Sequence, residues 1–278
     1  MLFIAFYLPF CIHRSNFAVE QTLFRFIFWI IYLCLRVCVC QLSLAEAKSL
    51  WALVRHREFF MAFALRHTTL SSPILGFCGD MFAVDQLPNS PIYQLPSPAN
   101  WYFPVATPLA QYFWPPWPVR AKHAVALLEF ASEIYASDVG SFFVCETSTA
   151  MFGVDSSDNV KVASWNYVYS YHELQSLADN QSCQTDLDCM LVAPACHSKC
   201  DGQRHKCTLP RPAVATICDL LKPYLLPKAP RSMVGDTARL LSRCSAMNAS
   251  AADFALQHSV VVGEFKSLLW RHIWRDVG

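Results

Sequence analysis

The chain has 278 residues, of which 54% are hydrophobic, 15% charged and 14% aromatic, so it contains enough apolar material for one main domain with a sizeable core. Its 22 basic and 21 acidic residues give a formal net charge of +1, which creates no field for gathering nucleic acid and excludes nucleic acid as the main partner. The high aromatic content and only eight glycines exclude a disordered chain.

The hydrophobic N-terminus, residues 1–41, contains an apolar run whose length approaches the roughly 20 residues that a membrane span needs. Arg25 and Arg36 lie near the ends of this run, where arginine side chains reach the headgroups and avoid most of the cost of a charge in mid-bilayer. We therefore predict that residues 22–41 are a signal anchor. A buried core helix is the alternative, and basic residues on both sides leave the orientation undetermined by charge.

A helix and a hairpin are predicted next. Residues 44–66 place apolar side chains at helical spacing among good helix formers, which predicts one long amphipathic helix. Two short apolar runs follow, around residues 74–75 and 81–84, with Gly79 between them. A glycine in this position favours a tight turn, so we predict a β-hairpin.

The middle of the chain is rich in proline and aromatic residues. Residues 88–118 contain nine of the seventeen prolines, which predicts an irregular, rigid connection packed against the core. A ligand or partner surface is the alternative use of such a segment. Pro118 then marks the start of a second long helix that is predicted to end near Ser137 and Asp138.

Short strands are predicted after the second helix. Residues 141–145 and 152–154 are short apolar runs, and residues 160–164 alternate as a strand does. Residues 155–159 are turn formers that lack the alternating ligands and the glycine of an EF-hand loop, so we predict a hairpin turn. The resulting order is helix, loop and hairpin.

Thirteen cysteines are far more than a cytosolic chain of this size usually carries. Five of them lie in the polar stretch 183–207, which has too few large apolar residues to form a core of its own. Either disulfides or zinc would stabilise such a stretch, and His197 and His205 are possible zinc ligands. The glycosylation motifs at Asn180 and Asn248 favour disulfides in an oxidising compartment. The candidate disulfide cysteines are Cys78, Cys145, Cys183, Cys189, Cys196, Cys200, Cys207, Cys218 and Cys244.

Several segments match a known family. They are LGFCGDMFAVDQLP, PWPVRAKHAVALLEF, FFVCETSTAMFGVDSSDNVKVASW and CQTDLDC with the trailing CHSKCDGQRHKC. In these segments the chain resembles the divergent protein kinase domain family, the cysteine-rich kinase-like proteins of the secretory pathway. The resemblance runs from about residue 45 to the end.

The resemblance implies an α+β, protein-kinase-like fold with a mostly helical C-lobe and a reduced N-lobe whose first strands are missing. The kinase-like domain would span residues 42–278, of which 42–88 would be the reduced N-lobe. Residues 89–118 would be the connection and 119–278 the C-lobe. The C-lobe would contain a disulfide-rich insertion at 183–218.

A protein kinase needs a catalytic-loop carboxylate, and a carboxamide and a second carboxylate that hold metal on the phosphates. The resemblance places Glu146 at the first of these positions, Met151 at the second and Ser164 at the third. A thioether is a poor ligand for magnesium, and a neutral hydroxyl does not replace a carboxylate. We find no glycine-rich phosphate loop and no strand lysine, so Glu58, which stands where the glutamate partner of that lysine would be, is predicted to be a solvated helix residue.

The resemblance and the missing ligands imply a membrane-anchored, lumenal kinase-like protein, a pseudokinase that acts by protein binding and uses no cofactor or metal. The membrane would be that of the endoplasmic reticulum or another secretory compartment, with the C-terminal part in the lumen. The partner would be a lumenal or secreted protein of unknown identity.

Two alternatives remain open at this point. One is an active atypical secretory-pathway kinase that uses ATP and magnesium, with Asp155, Asp158 or Asn166 supplying metal ligands from a shifted register. The other is a cysteine-rich extracellular binding module. A disulfide from Cys78 or Cys145 to the cysteine-rich stretch would favour one integrated kinase-like lobe over a separate module.

Overall fold

The structure is a computed structural model in which the described residues are 44–88, 91–93, 114–191, 196, 198–248 and 253–277. The predicted signal anchor at 22–41 lies outside these residues, as does most of the proline-rich connection. No helix in the described part of the chain is long and apolar enough to cross a bilayer.

The described residues form helices joined by short antiparallel strand pairs. In chain order the elements are α1 (Leu44–Arg55), α2 (Arg57–Ala64), β1 (Ile74–Cys78), β2 (Met81–Val84), α3 (Trp117–Tyr135), β3 (Phe142–Val144), β4 (Phe152–Val154), β5 (Val160–Val162), β6 (Val168–Ser170), α4 (Tyr171–Asn180), β7 (Cys200–Asp201), β8 (Lys206–Cys207), α5 (Ala213–Leu225), α6 (Val234–Ser245) and α7 (Phe254–Val277). The strands pair as β1 with β2, β3 with β6, β4 with β5, and β7 with β8. Helices therefore predominate over short strands, as the α+β prediction requires.

Four helices, α3, α5, α6 and α7, form what we call the helical core. Helix α3 has a proline in its first turn, which suits a helix start, and it packs against α5 and α7. Leu127, Leu128 and Ile134 of α3 are fully buried there. The indole nitrogen of Trp117 donates to the carbonyl of Leu225, 3.0 Å away, and joins the start of α3 to the end of α5. The prediction of a helix from Pro118 to near Ser137 is thus confirmed to within two residues.

The predicted helix over residues 44–66 is instead two helices, so that prediction was wrong. His56, between α1 and α2, has an extended backbone with φ −77° and ψ 112°. This break changes the direction of the chain and lets Phe59 and Met61 of α2 be buried. The hydrophobic spacing alone does not reveal such a break, because both halves are amphipathic.

The predicted hairpins are confirmed. In the β1–β2 hairpin, Gly79 has a φ of +63°, a left-handed conformation that glycine adopts at little cost. In the β4–β5 hairpin, the Asp155 carboxylate accepts hydrogen bonds from the backbone nitrogens of Ser157, at 2.8 Å, and Asn159, at 2.9 Å. These bonds stabilise the charged carboxylate and lower the pKa of Asp155.

We call residues 183–207 the cysteine segment. Two disulfides, Cys183–Cys200 and Cys189–Cys207, lie within it. A third, Cys145–Cys196, joins it to the end of β3. A fourth, Cys218–Cys244, lies in the helical core between α5 and α6.

Cys78, the remaining candidate, forms no disulfide with another described cysteine and is exposed, which corrects its place among the predicted pairs. It is the last residue of β1 in a hairpin that contacts α2, where Phe77 and Phe82 pack edge-on against Phe59. The hairpin therefore directs Cys78 to solvent.

Candidate functional site

The loop between β3 and β4 carries the position predicted for the catalytic carboxylate. Strand β3 is buried and pairs with β6, and the backbone nitrogen of Cys145 donates to the carbonyl of Tyr167 at 2.9 Å. Glu146 comes directly after the disulfide Cys145–Cys196 and is half-buried. The Cys145–Cys196 disulfide therefore fixes the start of the β3–β4 loop, directly before Glu146.

The second predicted position, Met151, ends a single 3₁₀ turn before β4 and is only 3% exposed. Its thioether packs in the main hydrophobic core. Its carbonyl accepts a hydrogen bond from the backbone nitrogen of Ala163 at 2.8 Å, and Ser164 N lies 3.4 Å from the same oxygen. The β4–β5 hairpin thus brings the second and third predicted positions together, with the Met151 side chain turned into the core.

The third predicted position, Ser164, binds a glutamate of helix α2. The Ser164 hydroxyl donates to Glu58 Oε1 at 2.6 Å, and the backbone nitrogen of Trp165 donates to Glu58 Oε2 at 2.8 Å. Both carboxylate oxygens are therefore occupied by the segment that would hold metal in an active kinase. The prediction that Glu58 is a solvated residue was wrong, because the fold places α2 directly over this segment.

The residue before Glu58 binds the same part of the chain. Arg57 Nη1 donates to the carbonyl of Val168 at 2.7 Å, and Arg57 Nη2 lies 3.3 Å from Glu173 Oε1. The guanidinium also lies 3.8 Å from the centre of the Tyr169 ring, a cation–π contact. We call Arg57 and Glu58 the α2 clamp.

Sequence reasoning missed the α2 clamp. The resemblance marked Glu58 as the equivalent of a lysine partner, but nothing in the local pattern pairs it with a hydroxyl more than a hundred residues away. A useful signal would have been that a serine at the aspartate position offers a donor to a nearby carboxylate.

Two of the three residues at the predicted kinase positions, Met151 and Ser164, do not fit a magnesium–nucleotide complex. Met151 offers a buried thioether, and Ser164 offers a neutral hydroxyl whose proton is already donated to a carboxylate. A hard divalent cation requires charged or carbonyl oxygens. We therefore derive no chemical step through a bound nucleotide or metal.

Two of the three residues proposed as ligands in a shifted register, Asp155 and Asp158, make other contacts in the structure. Asp155 and Asp158 lie at the turn of the β4–β5 hairpin, whereas Met151 and Ser164 lie at its open end. The Asp155 carboxylate is engaged by turn amides, and Asp158 Oδ1 lies 3.2 Å from His123 Nε2. Two carboxylates used in this way are poorly placed to replace the missing ligands.

The sulfur atoms of Cys183, Cys189 and Cys207 lie within 4.8 Å of one another. Each belongs to a disulfide, and a disulfide sulfur does not offer the thiolate that zinc requires. Of the two histidines proposed as zinc ligands, His197 lies outside the described residues, and His205 is exposed. Disulfides are therefore the bonds that stabilise this segment in the structure.

Both predicted glycosylation motifs have exposed asparagines. Asn180 is the last residue of α4, and Asn248 follows the end of α6. Both asparagines thus lie at the surface of the domain.

A comparison with known protein families supports the resemblance. The model of one family, described as the protein-kinase domain of FAM69, matches residues 50–247, which is more than half of the chain. The match includes the α2 clamp, the positions of Glu146, Met151 and Ser164, and the whole cysteine segment. No solved structure matches the chain.

Proposed function

Because the chain belongs to the FAM69 protein-kinase domain family, we propose that it is a pseudokinase, a kinase-like protein that acts by binding another protein. The observation that carries this proposal is the pair of hydrogen bonds from Ser164 and Trp165 to Glu58. These hydrogen bonds hold α2 against the Ser164 segment. An active kinase instead needs side chains at this position that are free to bind metal.

The loss of the metal ligand and the presence of the α2 clamp have one physical cause. An aspartate at position 164 would place a second carboxylate against Glu58, and two adjacent carboxylates repel each other. The serine replaces this repulsion with a hydrogen bond of 2.6 Å. The same residue therefore removes the metal ligand and closes the site.

A binding role is supported by the β1–β2 hairpin. Leu75 is 67% exposed, Met81 70% and Phe77 52%, and exposed apolar side chains concentrated on one element are typical of protein interaction surfaces. The hairpin is held on α2 by Phe59, so a partner bound there would contact the helix that closes the site. The partner we propose is a lumenal or secreted protein.

Four disulfides among the described residues and two glycosylation motifs whose asparagines are exposed support a location in the secretory pathway. We propose that residues 22–41 anchor the protein in the membrane of the endoplasmic reticulum or a related compartment, with the C-terminal part in the lumen. Enzymatic deglycosylation tests this orientation: wild-type protein made in cells should shift in mass, and Asn180→Gln with Asn248→Gln should abolish the shift. Absence of glycan on the wild type would contradict the lumenal placement.

The pseudokinase proposal is tested by a thermal-shift titration with ATP and magnesium. We expect no metal-dependent rise in Tm, because stabilisation by a ligand requires binding to the folded state. A parallel assay of phosphate transfer to generic protein substrates should show no activity above that of Glu146→Gln. Magnesium-dependent stabilisation, together with transfer that Glu146→Gln abolishes, would overturn the proposal in favour of an active atypical kinase.

A further inference from the structure

Helix α7 has an apolar face that no described element covers. Its inner face packs on α3 and α6 through buried residues such as Phe265 and Leu269. The outer face carries Leu256, Val260, Trp270 and Trp274, which are 66%, 42%, 37% and 72% exposed. Their steps of about 4, 10 and 4 residues, at about 100° per residue, keep them within a sector of about 80°, so they form one stripe that runs almost the full length of the helix.

The middle of this stripe carries only small side chains. Gly263 and Ser267 lie between the aliphatic and the aromatic residues, and both are exposed. A Cβ atom added at Gly263 would meet no atom within 4 Å. Small residues between larger ones allow another helix to approach closely at this point.

The charges beside the stripe indicate which helix fits. Glu264 and Lys266 already pair with the domain, through Arg243 at 2.7 Å and Glu129 at 2.7 Å. Asp253, the residue before α7, and Arg271, near its end, are exposed and lie on the same side of the stripe. Their hydrogen bonds stay within the same stretch of chain: Asp253 Oδ2 accepts from Gln257 Nε2, and Arg271 Nε donates to the carbonyl of Ser267. Eighteen residues separate them, which at about 100° per residue is five full turns, so both project at the same angle.

We propose that α7 is a dimerisation surface that binds α7 of a second copy of this chain in antiparallel orientation. A two-fold axis perpendicular to both helices keeps each flank of one helix beside the same flank of the other. Asp253 of each copy then meets Arg271 of its mate, and the axis passes beside position 262. In a parallel pair the two flanks would lie on opposite sides, and these charges would not meet.

The antiparallel arrangement also places apolar side chains of the two copies beside each other. With the axis at position 262, Trp270 of one copy lies at the level of residue 254 of the other, near Leu256, and Gly263 of both copies lies near the axis. The stripe is small compared with a stable interface, so the dimer is weak in solution. The dimer does not rest on the pseudokinase proposal, because α7 lies outside the kinase positions.

Disulfide trapping distinguishes this dimer from other associations. In the full chain with Cys78→Ser, Gly263→Cys places its two copies about 3 Å apart along the helix axis, whereas Ser267→Cys, the matched control, places them about 15 Å apart. Under mild oxidation, in detergent at a low protein-to-micelle ratio, we expect a crosslinked dimer from Gly263→Cys and none from Ser267→Cys above the parent chain. Equal crosslinking of both, or of neither, would overturn the proposal.

Charge reversal provides a second test that a general loss of folding would not mimic. Asp253→Arg and Arg271→Asp should each weaken dimerisation about tenfold in sedimentation analysis, and the two changes together should restore it. Unchanged Tm values would show that the fold is intact. A double variant no tighter than the single ones, or a monomer that instead binds anionic lipid vesicles through Trp270 and Trp274, would contradict the dimer.

Discussion

The helical core and the cysteine segment are stabilised by different means. In the helical core, whole side chains such as Leu127, Phe265 and Leu221 are removed from water, and burial of apolar area is the dominant favourable term in folding. The buried residues of the cysteine segment are mainly its own disulfide-bonded cysteines. Most of its other side chains are exposed.

This difference shows why the cysteines lie where they do. A polar segment of this length cannot offset the conformational entropy of ordering by burial alone. Covalent bonds within it and from it to β3 restrict the unfolded chain and replace the missing core. The α2 clamp uses a third means, since it relies on polar contacts at a partly buried site.

The largest expected effect comes from equal truncations in the two regions. Leu128→Ala in the helical core should lower the free energy of unfolding by about 2–5 kcal/mol, because Leu128 is fully buried and the change leaves a cavity. Leu187→Ala in the cysteine segment should change it by less than about 0.5 kcal/mol, because Leu187 is 75% exposed. Urea denaturation measures both variants, and equal costs would remove the distinction between the regions.

Removing a disulfide from the cysteine segment should have the next largest effect. The double variant Cys183→Ser with Cys200→Ser should lower the free energy of unfolding by about 2–4 kcal/mol. Hydrogen exchange should become faster in residues 183–207, while the amides of α5 stay protected. Cys78→Ser is the control, because Cys78 is exposed and forms no disulfide with another described cysteine. Equal loss of protection in α5 would show that the two regions unfold as one.

The α2 clamp should show a smaller, local effect. Glu58→Gln replaces one acceptor oxygen with an NH₂ group that faces a donor. The change should lower the free energy of unfolding by about 1–2 kcal/mol. In a double-mutant cycle with Ser164→Ala, the two costs should not add, because they report the same hydrogen bond.

Glu173→Gln is the matched control for the clamp. Glu173 contacts Arg57 in a partly exposed ion pair, which should be worth about 0–1 kcal/mol. Strict additivity of Glu58→Gln and Ser164→Ala would show that the clamp contributes no coupling.

The smallest expected effect is a difference in response to mild acid. Burial lowers the pKa of His123 and of His258 in the helical core below their ordinary value of 6.5, and for His123 the nearby Asp158 partly opposes this. Below pH 6.5 the two histidines bind protons more readily in the unfolded chain than in the folded one, which favours unfolding. The folded state is therefore most stable above pH 6.5 and loses stability as pH falls toward the lowered pKa values of the folded protein. Urea denaturation at pH 7.5 and 5.5 should therefore show a loss of stability that His123→Gln reduces.

The cysteine segment should resist the same change in pH. Backbone N–H groups of Gln184 and Thr185 lower the pKa of the Asp188 carboxylate below its ordinary value of 3.8, so its contribution is lost only as pH falls below that value. Hydrogen exchange, corrected for intrinsic rates, should show constant protection of this segment between pH 7.5 and 5.5. If the cysteine segment lost protection at a higher pH than α3, it would be the more acid-sensitive region, contrary to this prediction.

Elements set by local residues were predictable. The β1–β2 turn at Gly79 and the 155–159 turn follow from conformational preferences and short-range hydrogen bonds. The start of α3 at a proline is of the same kind. The break at His56 was not predictable, because it serves the burial of one face of α2 against residues distant in the chain.

The candidate site divides in the same way. The resemblance assigned Glu146, Met151 and Ser164 to kinase positions from short motifs, and that assignment stays a prediction. The resemblance did not reveal that Glu58 accepts hydrogen bonds from Ser164 and Trp165, because that contact depends on where α2 packs.

By itself, the sequence determined that this chain has a kinase-like domain and a cysteine-rich stretch that needs covalent support, because these properties follow from residue type and short-range spacing. Only the tertiary structure decided which cysteines pair, why Cys78 is left exposed, and that Glu58 accepts hydrogen bonds from Ser164 and Trp165. Those outcomes depend on which distant residues the packing of α2, β3 and the cysteine segment brings within bonding distance, and no local pattern contains that information.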